Sequence, residues 1–198
     1  MSASPPPSLL HRLPAALVGF RVACAPIILA LAWLGAPGTA LFAVLLAAFV
    51  SDVFDGILAR RLGVATPALR RADSLADTAF YAAAGLSLLL IDPGLLARYA
   101  WPLGALIGLE IVRAVIERAK FGRVAAYHMW SAKAWGVALL LGFAEVYLTG
   151  RAGTGFALAL GLGILTDLEG LAASLRLRRW HADVPSLYHA WTLEQANR

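Results

Sequence analysis

Six long apolar stretches, at about 15–34, 38–60, 70–91, 94–118, 127–148 and 153–176, limit what this 198-residue chain can become more than any other feature. A helix rises about 1.5 Å per residue, so each stretch can cross a hydrocarbon core about 30 Å thick. The breaks carry turn chemistry, 35-GAPG-38, 92-DPG-94 and 149-TGRAG-153, and connections this short predict antiparallel neighbours. Composition agrees: 60% of the residues are hydrophobic and 15% charged, with a mean hydropathy of +0.72, too apolar for a soluble domain. The predicted fold class is therefore an all-α integral membrane protein of six transmembrane helices with a short N-terminal interfacial segment. Residues 1–14, with the proline-rich 2-SASPPPS-8, form that flexible or interfacial segment, 15–178 the six-helix membrane domain, and 179–198 an amphipathic cytoplasmic tail. Reading 22–34 as a signal-peptide apolar region would leave an odd set of spans, which counts against it.

Basic residues load alternate connections. Arg12 precedes the first span, Arg60, Arg61, Arg70 and Arg71 lie between the second and third, Arg118, Lys120 and Arg123 between the fourth and fifth, and Arg176, Arg178 and Arg179 follow the sixth. The other connections hold only Arg98 and Arg151. By the positive-inside rule, both termini and the second-to-third connection face the cytoplasm, so the net charge of +5 reports orientation and not a nucleic-acid partner. The one cysteine, Cys24, excludes an internal disulfide framework.

Against this apolar background, 51-SDVFDGILARRLGVATPALRRADSLADTAF-80 carries Asp52, Asp55, Asp73 and Asp77. Charges within a span are expensive and mark function. At about 100° per residue, Asp52 and Asp55 lie about 60° apart, with Gly56 and Ala59 on the same face, and Asp73 and Asp77 share a face of the next helix. Two antiparallel helices joined by a basic loop would bring the four carboxylates together, where they repel unless neutralised. All-oxygen ligands favour Mg²⁺, Mn²⁺ or Ca²⁺, and carboxylates paired from two helices suit a two-metal centre that clamps a phosphoryl group. Gly56 and Ala59 leave space for a ligand on that face, and Arg60 is available to a phosphate.

The string Asp52-x-x-Asp55-Gly56-x-x-Ala59-Arg60 followed by Asp73-x-x-x-Asp77 resembles the signature of the CDP-alcohol phosphotransferases, membrane enzymes of phospholipid synthesis. The family pattern also has a glycine four residues before its third aspartate, where this chain has the bulkier Leu69. The segment 13-LPAALVGFRVACAP-26 is similar to the family's N-terminal region in Pro14, Arg21 and Pro26, with Ala15 in place of the usual asparagine. The resemblance implies a Mg²⁺ or Mn²⁺ two-metal site held by Asp52, Asp55, Asp73 and Asp77, with Asp77 as general base. It also implies a CDP moiety bordered by Asp52, Gly56, Ala59 and Arg60. The implied reaction transfers a phosphatidyl-type group from a CDP-linked lipid such as CDP-diacylglycerol to a small polar alcohol, with release of CMP. Glycerol 3-phosphate is the first acceptor to consider, followed by inositol or its phosphate. A homodimer surrounded by membrane lipids, set in a bacterial inner membrane with a cytoplasmic active site, completes the expectation.

Downstream, Arg113 and Lys133 each sit inside an apolar run and are the candidate ligands for a charged acceptor, beside Arg118, Lys120, Arg123 and His128. Glu110, one turn from Arg113, offers it a purely structural partner, and Asp167 and Glu169 are candidates to pair with Arg113 or Lys133 across helices. The competing readings are a degenerate, non-catalytic relative that binds lipid or a partner protein, a membrane prenyltransferase, and a cation transporter. The chain is short for the prenyltransferase bundle, and a transporter gives no reason for Gly56 and Ala59.

Overall fold

The computed structural model describes residues 9–125, 127 and 129–196. Among them the chain forms seven helices and no strand: α1 Leu9–Trp33, α2 Gly38–Arg61, α3 Pro67–Ile91, α4 Leu95–Phe121, α5 Trp130–Thr149, α6 Thr154–Arg176 and α7 Leu187–Ala196. The first six are long and apolar enough to cross a membrane, which agrees with the six stretches read from the sequence. The helix of α1 already begins at Leu9, so residues 9–14 are continuous with the first span, and the proline-rich 2–8 lies outside the described residues.

Local chemistry sets the helix ends. Thr66 caps α3 by accepting the Leu69 amide at 3.2 Å, and Pro67 fills the first helical position, where its missing N–H costs nothing. Gly122 closes α4 at φ 72°, a left-handed conformation that glycine adopts without strain. Tyr99 leaves helical geometry inside α4 (φ −117°, ψ 17°) just before Pro102, whose ring crowds the preceding turn and removes one ladder hydrogen bond.

The helices divide into two compact units. In the first, α1 packs against both α2 and α3, and the last turn of α5 joins them. Buried Val18, Arg21, Cys24, Ala25, Ile28 and Ala32 recur every three or four residues along α1, which packs on α2, with buried Leu41, Leu45 and Ala48, and on α3, with buried Ala76, Phe80, Ala83, Ala84 and Leu88. Gly38 opens α2 against the backbone carbonyl of Tyr147, too close for any Cβ, and the Tyr147 hydroxyl meets Ser87 at 2.8 Å. Such small contact residues are what helices need where lipid supplies no hydrophobic drive for association.

The second unit contains α4, most of α5, α6 and α7, with α6 packed on α4 and α7. Along α6 the buried residues Phe156, Ala159, Leu160, Gly163, Thr166, Asp167, Gly170, Ala173 and Ser174 form a continuous stripe of mostly small side chains. Gly142 of α5 lies where a Cβ would stand 3.1 Å from the Phe156 Cα, and a Cβ on Gly163 would press on the Trp135 ring. Trp101, Ile107, Ile111, Val112 and Val115 of α4 point outward, as lipid-facing side chains do.

Candidate functional site

The four aspartates extend the packed stripes of their helices. On α2 the buried set Leu41, Leu45, Ala48, Ser51, Asp55, Ala59 puts Asp55 on the stripe and Asp52 at its edge. On α3, Asp73 and Asp77 lie three residues before the buried Ala76 and Phe80, so both point toward the same side as the core. On α1 the buried stripe passes through Arg21 between Val18 and Cys24. The three stripes meet at one point, and that point is a guanidinium.

Arg21 contacts all four carboxylates. Its Nη1 lies 2.8 Å from Asp73 and 3.1 Å from Asp52 and also pairs with Asp77, while Nη2 pairs with Asp55. The side chains of Arg21 and Asp55 are only 1% and 4% exposed, against 36–37% for Asp52, Asp73 and Asp77. The cluster therefore has a buried floor and an open rim of three carboxylates. The expected convergence of α2 and α3 occurs, with α1 contributing the charge at its centre.

Carboxylate oxygens of Asp52, Asp55 and Asp73 lie within 4.8 Å of one another, close enough to share one ion at ordinary metal–oxygen distances of about 2.0–2.6 Å. An all-carboxylate donor set with an open rim fits a hard divalent cation.

Around this cluster, Gly56 is partly open, and a Cβ there would stand 3.4 Å from Nη1 of Arg60, whose side chain is exposed and lies over the glycine. Ala59 is 7% exposed and belongs to the packed core, one turn beyond Asp55. Leu69 is half-buried, one turn before Asp73 on α3.

Arg113 and Lys133 belong to the second unit, whereas the four aspartates belong to the first. Arg113 lies in the second unit, 2.7 Å from Glu110, 3.1 Å from Asp167 and 3.8 Å from Glu117, and its guanidinium lies over Gly170. Glu117 is fully engaged: it accepts from Ser174 Oγ at 2.7 Å and from the Ala125 amide at 2.8 Å. Ser174 also meets the Tyr127 hydroxyl at 2.9 Å, and burial pushes that phenol above its ordinary pKa. Lys120 closes the end of α6 by donating to the Ser174 and Leu175 carbonyls. Lys133 is exposed, with its ammonium 4.3 Å from the Trp130 ring centre. Glu169 accepts the Leu187 amide at 3.0 Å and so ties α7 to α6, while His128 lies outside the described residues.

The part played by Arg21 escaped the sequence reading, which registered the residue only as a point of resemblance. The signal was present: an arginine inside an apolar span needs a partner for the same reason the aspartates do.

Six membrane-length helices with four carboxylates gathered from two consecutive ones define an all-α membrane protein with an acidic cluster. The sequence model of the CDP-alcohol phosphatidyltransferase family matches residues 11–173, and the chain belongs to that family. A cardiolipin synthase (CMP-forming) of Oryza sativa subsp. japonica is 36% identical over 122 residues, covering 57% of this chain and 37% of the relative. The chain thus spans well under half the length of that relative. No solved structure matches.

Proposed function

We propose that this protein transfers a phosphatidyl-type group from a CDP-linked lipid to an alcohol and releases CMP, using Asp52, Asp55, Asp73 and Asp77 to hold two divalent cations. The observation that carries the reading is the convergence of the four signature aspartates on one point, with three of them open at the rim. Family membership and a relative named for CMP formation support the same chemistry.

The four carboxylates would hold Mg²⁺ or Mn²⁺, which when bound offsets negative charge on a diphosphate. The remaining work falls to side chains of this chain. Gly56 leaves the approach to α2 open, and Arg60 above it offers a guanidinium to the donor's phosphates. Asp77, exposed at the rim, takes the proton of the acceptor hydroxyl. The hydroxyl oxygen bonds to the phosphorus that carries the lipid, the bond from that phosphorus to the CMP oxygen breaks, and CMP leaves with the electron pair. The rim faces the cytoplasm in this reading, because the loaded basic connection between α2 and α3 lies beside it.

The acceptor is a small polar alcohol, with glycerol 3-phosphate first; Lys133, exposed at the start of α5, is the more available of the two basic candidates, since Arg113 is engaged by carboxylates. The test is CMP release by purified protein in detergent with CDP-diacylglycerol, Mg²⁺ or Mn²⁺, and a panel of glycerol 3-phosphate, inositol, inositol phosphate and a phospholipid bearing a free hydroxyl. Release with one member identifies the acceptor class. Silence with every member, under conditions where another family enzyme turns over, supports the non-catalytic reading instead.

A further inference from the structure

We infer that Arg21 is a built-in counter-ion of the aspartate site: it holds the four carboxylates together in the metal-free protein and competes with divalent cations for their oxygens. The inference rests on the reading of those aspartates as metal ligands.

A guanidinium prefers to meet carboxylates through its planar fork, two parallel N–H groups to two oxygens. Here Nη1, which carries two hydrogens, is approached by three carboxylates, Asp52, Asp73 and Asp77. Nη2 meets Asp55, and Nε is buried with no hydrogen-bond partner among the described residues. The acceptors crowd one corner of the group and leave another bare. That is the arrangement of ligands around a point charge, with the arginine's tip standing at the point.

One guanidinium faces four carboxylates, so three negative charges remain uncompensated when all four are ionised, whereas two divalent cations carry four positive charges. Arg21 is 1% exposed and rises from the packed stripe of α1, so it cannot extend its head to water as surface arginines do. Its charge is fixed in the cluster by the helix that bears it, and removing it leaves four carboxylates facing one another.

Shared oxygens and shared charge make Arg21 and a cation rivals. An ion coordinated by these oxygens at about 2.0–2.6 Å would stand where Nη1 now stands, 2.8–3.1 Å from two of them. A neutral residue at position 21 should therefore weaken the metal-free protein and strengthen its grip on metal. A residue that merely packs α1 would change stability with and without metal alike.

The experiment titrates Mn²⁺ into chelator-treated wild-type, Arg21→Met, Arg21→Gln and Asp73→Asn proteins in detergent. Bound Mn²⁺ is read by electron paramagnetic resonance and unfolding midpoints with and without saturating Mn²⁺. Arg21→Met and Arg21→Gln are expected to bind Mn²⁺ at least about tenfold more tightly than wild type. Their midpoints should fall without metal and recover with it, while Asp73→Asn binds more weakly. Mn²⁺ affinity that both neutral variants leave unchanged or lowered overturns this inference alone. If neither wild type nor either neutral variant binds Mn²⁺, the metal reading fails and this inference with it. Arg21→Gln keeps a hydrogen-bond donor at position 21, so the comparison survives should Arg21→Met fail to fold.

Discussion

Each unit of the molecule contains one arginine ringed by carboxylates, and the two rings are built to opposite ends. Around Arg113, at 21% exposure, Glu117 and Asp167 are 1% and 2% exposed, and only Glu110, at 52%, is open. Glu117 is further satisfied by Ser174 and the Ala125 amide, so the buried side of that cluster is tied into its own unit. Around Arg21 the arginine is buried and three of its four carboxylates are about a third exposed. The same rule, that charges inside a membrane protein find partners, thus gives one ring whose carboxylates are mostly buried and another whose carboxylates are mostly accessible. Both rings carry more carboxylates than arginines, so partnership and charge balance alone do not tell them apart; accessibility does.

The sharpest way to separate the rings is to neutralise one carboxylate in each. Asp77→Asn is expected to lower CMP release by about 10²–10⁴-fold, the usual contribution of a general base, with the unfolding midpoint little changed. Glu110→Gln, on the exposed side of the Arg113 ring, should leave turnover within about threefold. Equal losses from the two substitutions would erase the distinction, and near-normal turnover of Asp77→Asn would remove the base assignment.

The reverse contrast is in stability. Glu117→Gln turns one acceptor oxygen into an amide donor that faces an existing donor, Ser174 Oγ or the Ala125 amide. A loss of about 1–3 kcal/mol is expected, seen as a lower unfolding midpoint in detergent, while turnover per folded molecule stays near wild type. A collapse of turnover in folded Glu117→Gln would show that the second ring also serves the reaction.

How much of this was legible in the sequence follows from the same physics. The six spans were, because lipid imposes a length and hydropathy that no local context overrides. The shared faces of the aspartates were, because helical periodicity fixes them within a turn. The partners of Arg113 were legible in part: Glu110 lies one turn away and Asp167 was a cross-helix candidate, both of which pair with it, while Glu117, also one turn away, was missed. The role of Arg21 was missed too, since its partners lie 31 to 56 residues along the chain on two other helices. Ala59 shows the converse. Spacing put it on the ligand face with Gly56, but the structure buries it in the core, since a face of a helix says nothing about which of its turns is covered.

Glycine positions extend the comparison at smaller amplitude. A Cβ on Gly163, in the second unit, would stand 2.7 Å from Trp135 Nε1 and 2.9 Å from Leu106 Cδ1, so Gly163→Ala must displace a packed ring. It should cost about 1–3 kcal/mol of stability and spare the KM for the donor. At Gly56, the nearest atom is Nη1 of Arg60 at 3.4 Å, the far end of a flexible chain. Gly56→Ala is therefore expected to leave stability unchanged or raise it by up to about 1 kcal/mol of helix propensity, and to raise the KM for CDP-diacylglycerol, on the order of tenfold, if the donor lies against α2. An unchanged KM would move the donor away from this face.

The smallest effect is expected at Leu69, where the family pattern has glycine. Leu69 is half-buried on the same side of α3 as Asp73, one turn nearer the helix start, and its amide is held by Thr66. Leu69→Gly keeps that amide and its cap but gives up about 1 kcal/mol of helix propensity, so a slight fall in the unfolding midpoint is expected whatever the residue's role. The informative quantity is the ratio of kinetic constants. If the leucine only narrows the approach to the carboxylates, its removal lowers the donor KM by about two- to fivefold and leaves kcat unchanged, because the group removed touches ground state and transition state alike. A change in kcat would place Leu69 against the reacting atoms, and would make the departure from the family pattern a determinant of the chemistry and not merely of the fit.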